Sequence, residues 1–261
     1  MGTLHALYGG EDFPHTGNRP IGAAGREVKE VRLMVILIVA ITFAIFVGID
    51  ALLERRRRHT LAHEGEVLHA RLRESEPEFV AGYEMPGDLH YHRGHLWVHW
   101  VAPDQAFVGL DDFARRLVGH PDKVVVPHVG SWTDQGEATV EVRNGGHNAE
   151  LQAPLSGEVI AVNPALRNDP DAVHRDSYGR GWLYKIRSHR LAEQLNGLLD
   201  GSLAERWMED TRDRFHHQLV LASGSVIQDG GTTVEDLAAQ LDPELYDQLV
   251  EEFLSSRPQG V

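Results

Sequence analysis

Three histidines, His90, His92 and His95, form an H-x-H-x-x-H run. Imidazole nitrogens are ordinary ligands for zinc and copper, and on a strand His90 and His92 point to the same side. Arg93-Gly94 between them reads as a turn that spreads the three apart, so they are candidates while no metal is expected. His216 and His217 are adjacent in a helical stretch and face different ways. His147 stands in Asn144-Gly145-Gly146-His147-Asn148, a tight-turn composition, and no neighbour in the sequence would orient it as a nucleophile. The expectation is an exposed turn residue. The chain has no cysteine, which excludes disulfides, thiolate metal sites and a cysteine nucleophile. The glycine-rich run Ser225 to Thr233 lacks the Gly-Lys-Ser ending of a phosphate loop and carries Asp229. No residue is assigned a catalytic role.

The elements that would carry these residues begin with a membrane segment. Residues 1–30 are polar, rich in Gly, Pro and His, and without an apolar period; alone they would not fold. Residues 31–54 read as a transmembrane helix, because Leu33 to Ile49 carries no charge and its length suits a hydrocarbon core of about 30 Å. Leu33, Ile36, Ile41 and Phe46 are the anchoring side chains, and Arg55, Arg56, Arg57 and Arg58 follow at the headgroups. A signal peptide would have a shorter apolar run and an Ala-x-Ala-like site, neither of which is present. The arginine block places the following domain in the cytoplasm and the N-terminal tail outside an inner, cytoplasmic membrane. Residues 55–78 form a basic linker whose Leu61, Leu68 and Leu72 suggest a juxtamembrane helix ending at Pro77.

From residue 79 the pattern changes to short strands with Gly and Pro punctuation, the signature of a compact β-sandwich or barrel. Gln105 to Gly119 reads as a strand entering a short helix with Leu110, Phe113 and Leu117 inward. Lys123 to Val142 gives two strands around a turn at Gly130, and Arg175 to Arg187 a turn entering an edge strand. Gly130, Gly136, Gly157, Gly179 and Gly181 are read as turn residues needing positive φ. Trp97 and Trp182 are read as core. Leu191 to Ser223 is helical with a break at Gly201. Two short amphipathic helices follow, one marked by Val234, Leu237 and Leu241, the other by Leu245, Leu249, Val250 and Phe253 after an Asp242-Pro243 start. The domain is placed at 79–209 and an acidic helical extension at 210–261. An apolar stripe on acidic helices suits a docked partner. The whole chain carries 25 basic and 39 acidic residues, a net charge of −14, which argues against nucleic acid as a partner.

Taken together, the runs from Pro86 to Met208 resemble the H protein of the glycine cleavage system. Pro86, Leu89, Tyr91, His95, Trp97 and Val98 meet its opening pattern. Gly109, Leu110, Asp111, Asp112, Phe113 and Ala114 meet its Gly-Ile-Thr-Asp-Tyr-Ala segment. Val129, Gly130, Gly136 and Glu137 meet its Val-Gly and Gly-Glu turn. Ala153, Pro154, Ser156, Gly157, Glu158 and Val159 meet Ala-Pro-x-Ser-Gly-Glu-Val, and Val162, Asn163, Leu166 and Pro170 continue it. Tyr178, Gly179, Gly181, Trp182 and Leu183 meet Tyr-Gly-x-Gly-Trp-Leu. The resemblance implies a lipoyl-domain-like β barrel-sandwich hybrid with C-terminal helices; with the single transmembrane helix read from the apolar run ahead of it, the chain is α+β. It also implies a hairpin tip that carries a lipoyl-lysine. Counting by the family spacing, forward from Gly136-Glu137 and back from Ala153-Pro154, both reach Gly146. No lysine lies between Lys123 and Lys185, and the delocalised guanidinium of Arg143 is no substitute for a primary amine. No lipoyl group, and no other cofactor, is therefore expected.

The functional expectation is a non-enzymatic, non-lipoylated structural subunit that scaffolds a multi-subunit membrane complex. A short outer tail, one span and a cytoplasmic β-rich domain are similar in architecture to the H subunit of purple-type photosynthetic reaction centres, which points to a photosynthetic or respiratory electron-transfer complex as partner, with membrane lipid around the span. The alternative is a membrane-recruited binding module for lipoate-handling or glycine-cleavage enzymes. A third reading, an enzyme or metal carrier, would use His90, His92 and His95.

Overall fold

The computed structural model describes residues 32–53, 55–56, 67, 70, 78–223 and 241–254. The N-terminal tail, nearly all of the linker helix marked by Leu61, Leu68 and Leu72, and the helix marked by Val234 and Leu237 lie outside the described residues. The chain divides into two compact units, Met1–Arg55 and Arg56–Val261.

The first unit holds α1, Arg32–Leu53, a 22-residue helix of mean hydropathy 2.7 with none of its apolar window buried. At about 1.5 Å per residue it is about 33 Å long, enough for a hydrocarbon core of about 30 Å. The one hydroxyl along its middle is satisfied locally, since Thr42 Oγ1 donates to the carbonyls of Ile38 and Val39. Leu33, Ile36, Ile41 and Phe46 are all exposed, as are Arg55 and Arg56; Arg57 and Arg58 lie outside the described residues.

The second unit is built on three antiparallel sheets. A short ribbon pairs β1 (Phe79–Val80) with β2 (Tyr83–Glu84). The main sheet contains β3 (His90–His92), β4 (Leu96–Ala102), β5 (Gln105–Leu110), β7 (Trp132–Thr133), β10 (Gly157–Val162) and β11 (Tyr184–Arg187). Its spatial order is β3-β4-β5-β11-β10-β7. The third sheet is β6 (Lys123–Val125), β8 (Ala138–Asn144) and β9 (His147–Gln152), in the order β6-β8-β9. Alternation sets which faces are inward: Val140 and Val142 of β8 and Ala149 and Leu151 of β9 are buried, and Val142 pairs with Ala149. Leu96, Trp97 and Val98 of β4 are buried consecutively because the sheet is covered on both sides there.

Helix α2 (Asp112–Val118) follows β5. The Asp111 carboxylate caps it by accepting from the Ala114 amide at 2.8 Å, and Leu110, Phe113 and Leu117 all point into the core. Trp97 and Trp182 are buried, and the Trp97 indole N–H donates to the Ser177 carbonyl at 3.1 Å. The short helices α3 (Ala172–Arg175) and α4 (Leu191–Leu195) flank β11, and α5 (Gly201–Ser223) starts at Gly201, whose φ is 44°. Helix α5 turns Ala204, Trp207, Met208 and Phe215 inward and runs unbroken past residue 209, where the sequence placed a boundary. The last described helix, α6 (Pro243–Phe253), starts as expected, with the Asp242 carboxylate accepting from the Glu244 amide and Pro243 in the first turn. Its Tyr246, Leu249, Val250 and Phe253 join the same core as Phe113 and Phe215. The apolar stripe of this second helix, which suited a docked partner, is spent inside this chain.

Two local expectations are corrected. Strand β11 lies between β5 and β10 and is not an edge strand. Its alternating Tyr-Lys-Ile-Arg looks half-solvated, but Lys185 is buried, its ammonium 5.1 Å from the centre of the Phe107 ring. Strands β6 and β7 flank the turn at Gly130 as read, and pair with β8 and β10. Of the five turn glycines, Gly130 and Gly136 have positive φ, 86° and 84°. Gly157 and Gly181 are required by close approach instead: a Cβ would stand 2.4 Å from the Arg187 carbonyl oxygen at the first and 2.5 Å from that of Ala172 at the second.

Candidate functional site

The site is the β8–β9 hairpin. Its base is closed by Gly136 N–H donating to Ala153 O at 2.9 Å and Ala153 N–H donating to Glu137 O at 2.7 Å. Gly-Glu and Ala-Pro therefore face each other across the two strands. The register runs through Val142↔Ala149 and Arg143↔Asn148 to Asn144↔His147, leaving Gly145 and Gly146 as the two turn residues. Their φ values are 57° and 99°, the double positive φ of a tight two-residue hairpin turn. A Cβ at either would meet nothing within 4 Å, so the backbone, not crowding, demands glycine here. The tip is tied down from the side: the Asn144 amide donates to the Val118 carbonyl at 2.7 Å, and the Gly145 N–H to Asp122 at 3.3 Å. A glycine tip offers no side chain for an amide bond to a carried group.

His147 is not the unpartnered turn residue expected. Its Nδ1 lies 2.8 Å from the Asp247 carboxylate of α6, and its ring packs edge-on to Tyr246 with centroids 4.6 Å apart. Both partners lie about a hundred residues further along the chain, so nothing near His147 in the sequence could have signalled them. No Ser or Thr adjoins this pair in the turn, and it reads as an anchor for α6.

The H-x-H-x-x-H run is spread, as Arg93-Gly94 suggested. His90 and His92 sit half-buried on β3, and His92 Nδ1 accepts from the Gly94 amide at 3.1 Å. Burial, then the charges of His95 and Arg93, push the His92 imidazole down to about 4. Burial also lowers His90, against an opposing pull from Asp200. His95 turns the other way, at φ 59°, into the core. There it is 1% exposed, its Nδ1–H donating to Asp111 at 2.7 Å, its ring stacked on Phe113 at 4.3 Å and tilted against Trp207 at 4.7 Å. Among the described residues no group of three or more His, Asp or Glu is placed to hold a metal ion. His216 and His217 are exposed on α5 beyond Phe215.

The sequence did not signal a second pair, His120 and His174, whose rings lie 4.0 Å apart, with Nδ1 of the first on Asp171 and of the second on the Arg115 carbonyl. Nor did it signal the polar staple around Asp112, where one carboxylate accepts from the Glu84 amide and pairs with Arg115 and Arg116. The Tyr178 hydroxyl accepts from the Asp112 N–H and donates to the Glu84 carbonyl. Asp111 and Asp112 were visible as the acidic pair of the family segment; their partners were not.

The sequence profile described as Glycine cleavage H-protein matches residues 89–211. A glycine cleavage system H protein of Hydrogenovibrio crunogenus is 37% identical over 116 residues, covering 44% of this chain and 90% of that protein. That of Mycolicibacterium smegmatis is 39% identical over 119 residues, 45% of this chain and 91% of the relative. A probable glycine cleavage system H protein of Pyrococcus abyssi is 35% identical over 130 residues, 50% and 94% respectively. The crystal structure of a glycine cleavage system H protein from Mycobacterium marinum aligns with a TM-score of 0.39 at 32% identity, covering 40% of this chain and 87% of that one. With relatives matched through nearly their whole length at well over 30% identity, the chain belongs to the glycine cleavage H-protein family.

Proposed function

We propose that this chain is a membrane-tethered, unlipoylated member of the H-protein family that acts as a non-catalytic scaffold subunit of a larger membrane complex. The observation that carries the reading is the hairpin tip. By the family spacing Gly146 occupies the lipoyl-lysine position, and both turn residues are glycines in a positive-φ turn. Such a tip carries no swinging arm, while the strands that would present it are kept. A family fold that retains its frame without its reactive residue serves as a surface for other proteins.

The tether is α1. In this reading Leu33, Ile36, Ile41 and Phe46 face lipid, Arg55 to Arg58 meet the headgroups, and the domain lies on the cytoplasmic side of an inner membrane with the tail outside. A complex of the photosynthetic or respiratory electron-transfer kind is the partner proposed, on the architecture of one short tail, one span and one β-rich domain. The second reading, supported by family membership, is a module that brings glycine-cleavage or lipoate-handling enzymes to the membrane.

The test is purification of the full chain in mild detergent, with mass spectrometry of the intact protein and of whatever accompanies it. The scaffold reading expects an unmodified mass and stoichiometric integral-membrane subunits. Recovery as a free monomer would sink it, and a lipoyl adduct would sink both readings. Glycine-cleavage or lipoyl-transfer enzymes in the eluate would establish the second reading in place of the first.

A further inference from the structure

Helix α6 lies outside the residues matched to the family, 89–211. Yet it is packed against the family's hairpin. We infer that the flank of the β8–β9 hairpin is an interaction surface for an amphipathic helix, that its resident occupant is this chain's own α6, and that α6 is a removable cap withholding that flank from other proteins.

The anchors have the spacing of a helix laid in a groove: Tyr246, Leu249, Val250 and Phe253 stand at i, i+3, i+4 and i+7, and all are buried. Glu244, Asp247, Gln248 and Glu251, between and beside these anchors, are exposed. Tyr246 and Asp247 grip the hairpin through His147, by a ring contact at 4.6 Å and a hydrogen bond at 2.8 Å. Phe253 closes the far end against Phe113 and Phe215, with centroids 5.4 and 5.6 Å away, and the Arg214 guanidinium lies 5.3 Å over its ring.

Two features mark α6 as docked on the domain more than woven into it. It starts and caps itself, through Asp242 and Pro243, without help from another element. Its seam with β9 is open: a groove of about 810 Å³ remains between the two, lined by His147, Glu150, Gln152, Asp247, Gln248 and Glu251. A competitor for the flank is a protein helix with aromatic anchors seven residues apart and an acid directly after the first, to replace Asp247 on His147.

The inference rests on the docking reading only for why the flank matters; the cap itself is tested separately. In the full chain in detergent micelles, hydrogen exchange at the amides of Tyr246 to Leu254 should run at least tenfold faster than at β11, as expected of a unit that opens without global unfolding. A chain ending at Gln240 should stay folded and bind a fluorescent peptide of residues 241–254. That peptide should bind at least tenfold more weakly to the full chain, and a Tyr246→Ala, Phe253→Ala peptide at least tenfold more weakly to the shortened one. Exchange of α6 at the rate of β11, loss of the fold on shortening, or a folded shortened chain that ignores the peptide would each overturn the inference. None of these readouts depends on which proteins co-purify, so either proposal can fail while the other holds.

Discussion

Restoring a lysine at the hairpin tip is the most informative perturbation, because the structure sets its cost in advance. Gly146 has φ 99° and Gly145 φ 57°, and at both a Cβ would meet nothing within 4 Å. The penalty for a side chain is therefore backbone strain alone. An L-residue at positive φ costs about 1–2 kcal/mol. Gly145 lies in the left-handed helical basin, whereas Gly146 lies about 40° beyond it. Gly145→Lys should thus cost about 1 kcal/mol, and Gly146→Lys about 2 kcal/mol or more. For a domain of this size about 2 kcal/mol lowers Tm by about 4–8 °C. Thermal unfolding of the full chain in detergent, followed by tryptophan fluorescence, reads both variants. A Gly146→Lys protein as stable as the parent, or more stable than Gly145→Lys, would refute the argument, since the turn could then not have the conformation described. Confirmation would mean that the tip is held as glycine by its own backbone.

Other consequences are open to measurement. Asp111→Ala removes the α2 cap, worth about 1 kcal/mol, and strands the buried His95 Nδ1–H, worth about 1–3 kcal/mol, so urea unfolding should show a loss of about 2–4 kcal/mol. Gly157→Ala and Gly136→Ala should both destabilise, by about 1–3 kcal/mol from backbone collision and about 1 kcal/mol from positive φ. Asparagine then separates the causes, relieving position 136 because it tolerates positive φ and worsening position 157. Stability should also fall in mild acid. His92 is held near 4 in the folded chain, below its unfolded value of about 6.5, so the unfolded chain binds the extra proton between those limits. The penalty is absent above about pH 6.5, grows as pH falls and levels off near 4, where it is on the order of 2 kcal/mol after allowance for partial exposure. Urea midpoints at pH 7.5 and 5 should differ less in His92→Asn, and an unchanged difference would show that His92 is not responsible.

Much of the architecture could be read from the chain because its signals are local. The uncharged run at Leu33 to Ile49 needs only its neighbours to be a long apolar helix. Asn144-Gly145-Gly146 specifies a tight turn, and Asp242-Pro243 sits where a helix start belongs. Trp97 and Trp182 went to the core because only burial repays such area. The readings that failed were guesses about who lies next to whom. Tyr-Lys-Ile-Arg at β11 alternates like an edge strand, and periodicity carries no trace of the two strands that flank it. Gly157 looks like a turn glycine, and Gly181 like one needing positive φ, until the carbonyls that crowd them are known.

By itself, then, the sequence determined the order of elements, the hairpin frame and the absence of a lysine at its tip, because each depends on residues a few positions apart. Only the tertiary structure decided that the hairpin flank is occupied, and by which segment. Asp247 meets His147 across a hundred positions, and Phe253 meets Phe113 and Phe215 from outside the family fold. An apolar stripe on a helix says that it will be buried; what buries it depends on the surface left open once the rest of the chain has packed.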